Sequence, residues 1–60
     1  MIKRFISNGE YYMVTDTPYE GAQFKNKPFC LFEYEGDFDD ACWYLGNFES
    51  LEAAMESVTG

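Results

Sequence analysis

The stretch IKRFISNGEYYMVT, residues 2–15, decides the fold, because two short apolar runs flank Asn8-Gly9. An Asn-Gly pair between strand-like runs is the strongest short signal for a β-hairpin closed by a type I′ turn. We therefore predict strands at Ile2–Ser7 and Glu10–Thr15. The predicted cross-strand pairs are Ile6 with Tyr11, Phe5 with Tyr12, Arg4 with Met13 and Lys3 with Val14. This register leaves apolar side chains on both faces of the hairpin.

A second hairpin is predicted from two runs rich in aromatic residues, since aromatic side chains favour strands. The third strand covers residues 29–35 and the fourth covers residues 41–45, joined across residues 36–40. Gly46 is expected to end the fourth strand. Between the hairpins, residues 16–28 carry Pro and Gly without a clear period and are predicted to be a long loop. Tyr19 and Phe24 in this loop either tuck onto the body or are exposed contact residues.

The last stretch predicts a helix with Ser50 as the N-cap. Its apolar residues have the i, i+3, i+4, i+7 spacing of one helix face; they are Leu51, Ala54, Met55 and Val58. Glu52 falls in the first turn, where the helix dipole favours negative charge, and Phe48 is expected to fold back on the helix. Residues 1–60 thus predict one α+β domain: a small antiparallel sheet of about four strands in two hairpins, with one C-terminal helix packed on one face.

Such a helix leaves part of the sheet without cover, since about nine residues span only ~13 Å. In the third strand, Cys30, Phe32 and Tyr34 lie on the side opposite to Phe29 and Leu31. Whichever side meets the helix, large apolar side chains point the other way. This pattern predicts either a surface for a protein partner or a second small core closed by the long loop.

The charge balance sets the class of partner, because eleven acidic residues face four basic ones and give a net charge of −7. That charge repels nucleic acids and anionic membranes, so we expect no direct binding to either. A basic protein surface is the natural complement, although the charge also serves solubility alone. The sequence lacks a membrane-spanning apolar run, and we expect a cytoplasmic location with Cys30 and Cys42 as free thiols. A disulfide between them across the hairpin is the alternative.

Five carboxylates within eight residues are the sharpest local feature, and they are Glu33, Glu35, Asp37, Asp39 and Asp40. In an extended strand, side chains two residues apart share a face at roughly 6.6 Å spacing, so Glu33 and Glu35 make a short row of regular negative charge that suits a groove built for phosphates. We predict a partner-binding site made of the five carboxylates with Tyr19 and Phe24. One alternative is an ordinary solvated hairpin tip. Another is a calcium site at Asp37, Asp39 and Asp40, although the residue order does not fit the calcium-loop pattern.

Catalysis is not expected, because the chain has no His and therefore none of the His-dependent nucleophilic or metal devices. Cys30 and Cys42 are not arranged as Cys-x-x-Cys and lie among carboxylates, which would raise a thiol pKa. The glycines stand singly, so no phosphate-binding loop is formed. We predict a non-enzymatic protein that needs no cofactor and no metal.

The Asn8-Gly9 hairpin, acidic strand tip, short C-terminal helix, small size and negative charge together give the chain a resemblance to small phage-encoded inhibitors of bacterial defence, the anti-CRISPR and anti-restriction proteins. The resemblance implies an inhibitor in the bacterial cytoplasm that docks on a basic, nucleic-acid-binding surface of a host effector complex, with the five carboxylates as contacts. The alternative is a small homo-oligomeric structural or regulatory subunit, such as a homodimer that buries an aromatic sheet face.

Overall fold

A computed structural model describes residues 2–16 and 26–59, and it confirms the predicted α+β architecture. The elements are β1 (Ile2–Ser7), β2 (Glu10–Thr15), β3 (Phe29–Tyr34), β4 (Cys42–Phe48) and α1 (Leu51–Thr59). The four strands form one antiparallel sheet in chain order, so β1 and β4 are its edges. Tyr19, Phe24 and most of the predicted loop lie outside the described residues. Within the described part of the chain, no helix is long and apolar enough to cross a membrane.

The first hairpin confirms its predicted bounds and its predicted register, from Ile6 opposite Tyr11 to Lys3 opposite Val14. Asn8 and Gly9 have φ values of 53° and 81°. A type I′ turn requires positive φ at both central positions, which Asn tolerates and Gly adopts freely. The turn chemistry therefore sets which side chains of β1 and β2 share a face.

The predicted third strand is one residue too long, because the chain turns immediately after Tyr34. The Gly36 amide donates a hydrogen bond to the Tyr34 carbonyl oxygen at 3.1 Å, and the Glu35 amide donates to the Ala41 carbonyl oxygen at 2.9 Å. Gly36 itself has a φ of 83°, in the region that favours glycine. Glu35 therefore belongs to the connection and not to β3.

The predicted fourth strand is wrong at both ends, since β4 begins at Cys42 and continues through Gly46 to Phe48. The register explains why Gly46 does not end it: Gly46 lies opposite Leu31, whereas Tyr44 lies opposite the next residue of β3. Leu45 is the extra residue of a β-bulge. Glycine in a strand interior often marks such an irregularity. Beyond the bulge, Phe48 lies opposite Phe29 and packs against the core.

The helix begins as predicted, with Ser50 as its cap. The Ser50 hydroxyl oxygen accepts a hydrogen bond from the Ala53 amide at 3.0 Å, and the Ala54 amide donates to the Ser50 carbonyl oxygen at 3.1 Å. At the other end, the Ser7 hydroxyl donates to the Val58 carbonyl oxygen at 3.3 Å. Because α1 starts just after β4 ends and its last turn lies beside Ser7 of β1, it runs obliquely across one sheet face.

The core lies between α1 and this helix-side face. Its buried members are Tyr12, Val14, Leu31 and Ala54, and Phe5, Phe29, Phe48, Leu51 and Val58 pack around them in half-buried positions. Burying a side chain the size of Val or Leu contributes about 1.5–3 kcal/mol. Because the described residues contribute only four buried members to this core, the fold depends strongly on the hairpin turn and the helix cap that align them.

The two glycines of contrasting conformation test this description. Replacing Gly9 with Ala should lower the free energy of unfolding by about 1–2 kcal/mol, the cost of placing a Cβ in left-handed backbone. Gly46→Ala is the matched control: its φ is not positive, and the added Cβ would lie 3.8 Å from Phe48 Cε1, an ordinary contact. Its stability should change by less than about 0.5 kcal/mol. Urea unfolding of both variants measures the difference, and equal losses would contradict the described turn and bulge.

Candidate protein-docking surface

The sheet face opposite α1 is lined by aromatic and sulfur-containing side chains. Cross-strand register builds it from two rows: Arg4, Met13, Phe32 and Tyr44 in one, and Ile6, Tyr11, Tyr34 and Cys42 in the other. We call this the aromatic face. The Phe32 and Tyr44 rings are 5.8 Å apart, and the Tyr34 hydroxyl donates to Met13 Sδ at 3.5 Å. Side-chain contacts on this face, which is opposite to the helix, thus link neighbouring strands.

Phe38, from the turn between β3 and β4, folds back onto the aromatic face. Its ring meets Tyr11 edge-on with centroids 4.9 Å apart and lies 5.4 Å from the Tyr34 ring. The Arg4 guanidinium carbon lies 5.9 Å from the same ring centroid. Aromatic pairs of this geometry contribute ~0.5–1.5 kcal/mol beyond their buried area. Sequence reasoning assigned Phe38 no role, and its only signal was a large apolar residue among carboxylates.

The two cysteines occupy opposite ends of the aromatic face and are both free thiols. Cys30 lies opposite Asn47, and Cys42 lies opposite Tyr34, so the register does not pair the cysteines with each other. Cys30 is buried and accepts a hydrogen bond from Asn47 Nδ2 at 3.4 Å. The same amide group donates to the Lys27 carbonyl oxygen at 3.0 Å. Of the two thiols, only Cys42 is exposed.

Among residues 2–16 and 26–59, the exposed large apolar side chains lie on the two edge strands. On β1, Ile2 and Ile6 are each 58% exposed. On β4, three consecutive large side chains are exposed: Trp43 at 45%, Tyr44 at 39% and Leu45 at 41%. With the exposed Cys42 they form a continuous uncharged segment that we call the β4 edge segment, residues 42–45. Trp43 lies opposite Glu33 on the helix-side face, at a corner that the diagonal helix does not reach.

Of the five predicted carboxylates, Glu33 and Glu35 do not form the predicted extended row, because β3 ends at Tyr34. Glu33 lies on the helix-side face between Tyr12 and Trp43 in the cross-strand row. Asp37 instead organises the turn: its carboxylate accepts the Asp39 amide at 3.3 Å, and its carbonyl oxygen accepts the Asp40 amide at 3.0 Å. The other members, Glu35, Asp39 and Asp40, are exposed at the tip. Across residues 2–16 and 26–59, no group of three Cys, Asp or Glu side chains is placed to hold a metal ion.

Two carboxylates of the helix-side face act on Tyr12: Glu33 lies opposite it in β3, and Glu10 precedes it by two residues in β2. Burial raises the pKa of the Tyr12 hydroxyl, and the nearby Glu33 and Glu10 carboxylates raise it further. On the aromatic face, burial also raises the pKa of Tyr34, with a further contribution from the Cys42 thiol and an opposing one from Arg4. The two faces therefore differ: Glu33 lies opposite Trp43 on one, and the Arg4 guanidinium lies near the Phe38 ring on the other.

The described residues thus bring together an uncharged apolar edge, an exposed Trp and a neighbouring carboxylate. None of these elements forms a nucleophile and base pair. Comparison with protein-family models, curated proteins and solved structures finds no match. The functional proposal therefore rests on the chemistry of this surface.

The field around Tyr12 gives a direct test of the corner geometry. Because its pKa is raised in the folded state, Tyr12 contributes stability below pH ~10 that is lost as pH rises through the folded pKa. Glu33→Gln should lower the Tyr12 pKa toward its ordinary value, since one carboxylate no longer repels the phenolate. The measurement is a nuclear magnetic resonance titration of ¹³C-labelled tyrosine rings.

The control for that titration is Glu52→Gln, which removes an exposed carboxylate from the helix and should leave the Tyr12 pKa unchanged. Equal shifts in both variants would show only a general effect of net charge. That result would contradict the placement of Glu33 beside Tyr12.

Proposed function

We propose that the protein is a non-enzymatic, acidic protein-binding module that docks on a basic surface of a host effector complex, a surface that otherwise holds nucleic acid. In this role it acts as an inhibitor by occupying the site. The observation that carries the proposal is the exposure of Trp43, Tyr44 and Leu45 side by side in a chain with a net charge of −7. Large exposed apolar side chains next to strong charge are typical of recognition surfaces.

The apolar and acidic parts have different tasks in such a module. Aromatic residues at the centre of an interface supply most of the binding energy when they are desolvated. Surrounding charges steer the encounter and select partners of opposite sign. Trp43 and Tyr44 fit the first task, and the exposed tip carboxylates fit the second. A partner that normally grips phosphates with Lys and Arg offers the complementary field.

A catalytic role has less support from the same residues. The chain has no His to act as a base. The carboxylate and the carbonyl oxygen of Asp37 both accept hydrogen bonds within the turn, and Cys30 is buried beside Asn47. Acid and base chemistry by paired carboxylates needs environments that separate their pKa values. The tip carboxylates are exposed to solvent and are not enclosed in a cleft, so this surface fits binding better than catalysis.

The proposal is tested by capturing proteins from a bacterial lysate on the immobilised chain at low and high salt. Captured proteins should be displaced by high salt and by added duplex DNA or RNA, because both compete for a basic nucleic-acid site. Retention that ignores nucleic acid and ionic strength would refute the proposed partner class.

A pair of charge-reversal variants separates the acidic tip from net charge. The tip variant replaces Glu35, Asp39 and Asp40 with Lys, and it keeps Asp37 because that residue holds the turn. The control variant replaces Glu49, Glu52 and Glu56 with Lys, which are also exposed. Each triple reversal adds six charges and changes the net charge from −7 to −1. Capture should be lost with the tip variant and largely kept with the control; equal loss would show that only net charge matters.

A homodimer that buries the aromatic face is the second candidate, and exposed Ile6 on that face is the observation that favours it. Mutual repulsion between two chains of charge −7 opposes this assembly. Light scattering across a concentration series at low salt distinguishes the two. The docking proposal expects a monomer throughout, whereas a stable dimer would favour the homo-oligomeric subunit.

A further inference from the structure

The two edges of the sheet are protected differently. β1 carries Lys3 and Arg4, and charged side chains on an edge strand discourage pairing with another chain. β4 has the sequence CWYLGNF, without a charged residue or a proline. Its first four residues are all exposed, and β4 is the last strand of the sheet in the described part of the chain. Natural sheets usually place charged residues or proline on such an edge, so an uncharged and exposed one is typical of a recognition strand.

The β-bulge limits where a further strand could pair with β4. Leu45 is the inserted residue, so the regular part of the edge runs from Cys42 to Tyr44, with Ala41 preceding it. Exposed alanine at position 41 adds no bulk that would block approach. A docking strand would therefore be short and would end near the bulge, as expected for a peptide segment and not for a whole sheet.

The register of β2, β3 and β4 determines which side chains a docking strand would contact. A residue placed across from Trp43 extends the row of Tyr12, Glu33 and Trp43 on the helix-side face. A Lys or Arg at that position would lie over the Trp43 ring and reach toward the Glu33 carboxylate. A residue across from Tyr44 extends the opposite row next to Phe32, where an apolar side chain fits. The two rows therefore favour a docking strand in which cationic and apolar residues alternate.

We propose that the β4 edge segment, residues 42–45, captures an extended basic segment of the partner protein as a fifth strand. Its cationic side chains pack on Trp43 toward Glu33, and its apolar side chains pack on Tyr44. This inference rests on the proposed function, because it names the part of the partner that docks. Main-chain hydrogen bonds to β4 supply affinity, and the alternation of side chains supplies specificity.

The charge balance selects this occupant over a second copy of the chain. Pairing β4 with β4 of another molecule would bring together two bodies of charge −7, and it would place the Glu33 carboxylates of both near the seam. A basic segment instead neutralises that field. β4 itself carries no cationic side chain that would repel such a segment.

The experiment uses a short synthetic peptide in which Lys and Val alternate as the probe, added to ¹⁵N-labelled protein. Amide signals of residues 41–45 should shift and exchange more slowly with solvent, whereas those of β1 should not. A peptide of the same charge with proline at alternate positions is the control, because proline cannot supply strand hydrogen bonds. Equal binding of both peptides would overturn the inference, since it would show attraction by charge alone.

Two variants place the same new charge on opposite edges. Trp43→Lys removes the ring and repels the peptide cations, and it should weaken probe binding by about tenfold or more. Ile6→Lys makes a matched change on the exposed part of β1 and should leave the affinity within about twofold. Equal weakening by both, signal changes confined to β1 or to residues 37–40, or a β4-paired dimer of the protein alone would each overturn the inference.

The outcome is separable from that of the proposed function. If salt-sensitive, DNA-displaceable capture from the lysate is lost with the Trp43→Lys variant, but the alternating peptide leaves the amide signals of residues 41–45 unchanged, the acidic docking module stands and the fifth-strand inference fails. If the peptide binds to β4 while lysate capture ignores salt and nucleic acid, the edge pairs with strands and the proposed partner class is wrong.

Discussion

The whole architecture depends on one mismatch of size: a nine-residue helix covers a four-stranded sheet. At about 1.5 Å per residue, α1 spans only ~13 Å and is too short to cover the whole face of the sheet. It runs obliquely across that face, fixed by the Ser50 cap at one end and by the Ser7 hydroxyl at the other. The core forms under the helix, and the corner that holds Trp43 is left without helix cover.

Apolar exposure and negative charge have to be considered together. A chain with exposed aromatic side chains at a sheet edge is at risk of edge-to-edge pairing with a second copy. Charge repulsion is a general means of avoiding this. Here the net charge is −7, and the basic residues of the first strand protect only the opposite edge. In our account the same charge that keeps copies apart selects a basic partner for the β4 edge segment.

Short-range chemistry was predictable from the sequence, and long-range chemistry was not. Asn8-Gly9 and Ser50 each act on neighbours within a few residues, so the first hairpin, its register and the helix start follow from local patterns. The prediction that Gly46 ends the fourth strand is wrong. Gly46 pairs with Leu31 of β3, and the residues around Gly46 carry no sign of that pairing. Phe38 was missed for the same reason, since its contact with Tyr11 joins distant parts of the chain. β3 ends before Glu35 because backbone hydrogen bonds of the turn decide where the strand stops, and the pattern of acidic side chains does not predict them.

The central claim is that Trp43 is accessible and lies across from the Glu33 carboxylate, in a chain with a net charge of −7. Because Trp43 is the one tryptophan of the chain, its fluorescence reports on this corner alone. The decisive measurement compares quenching by caesium and iodide ions, each referenced to N-acetyltryptophanamide. Our account predicts efficient quenching by caesium and suppressed quenching by iodide, with the difference reduced in the Glu33→Gln variant. Poor quenching by both ions, or iodide quenching as strong as in the reference compound, would contradict it.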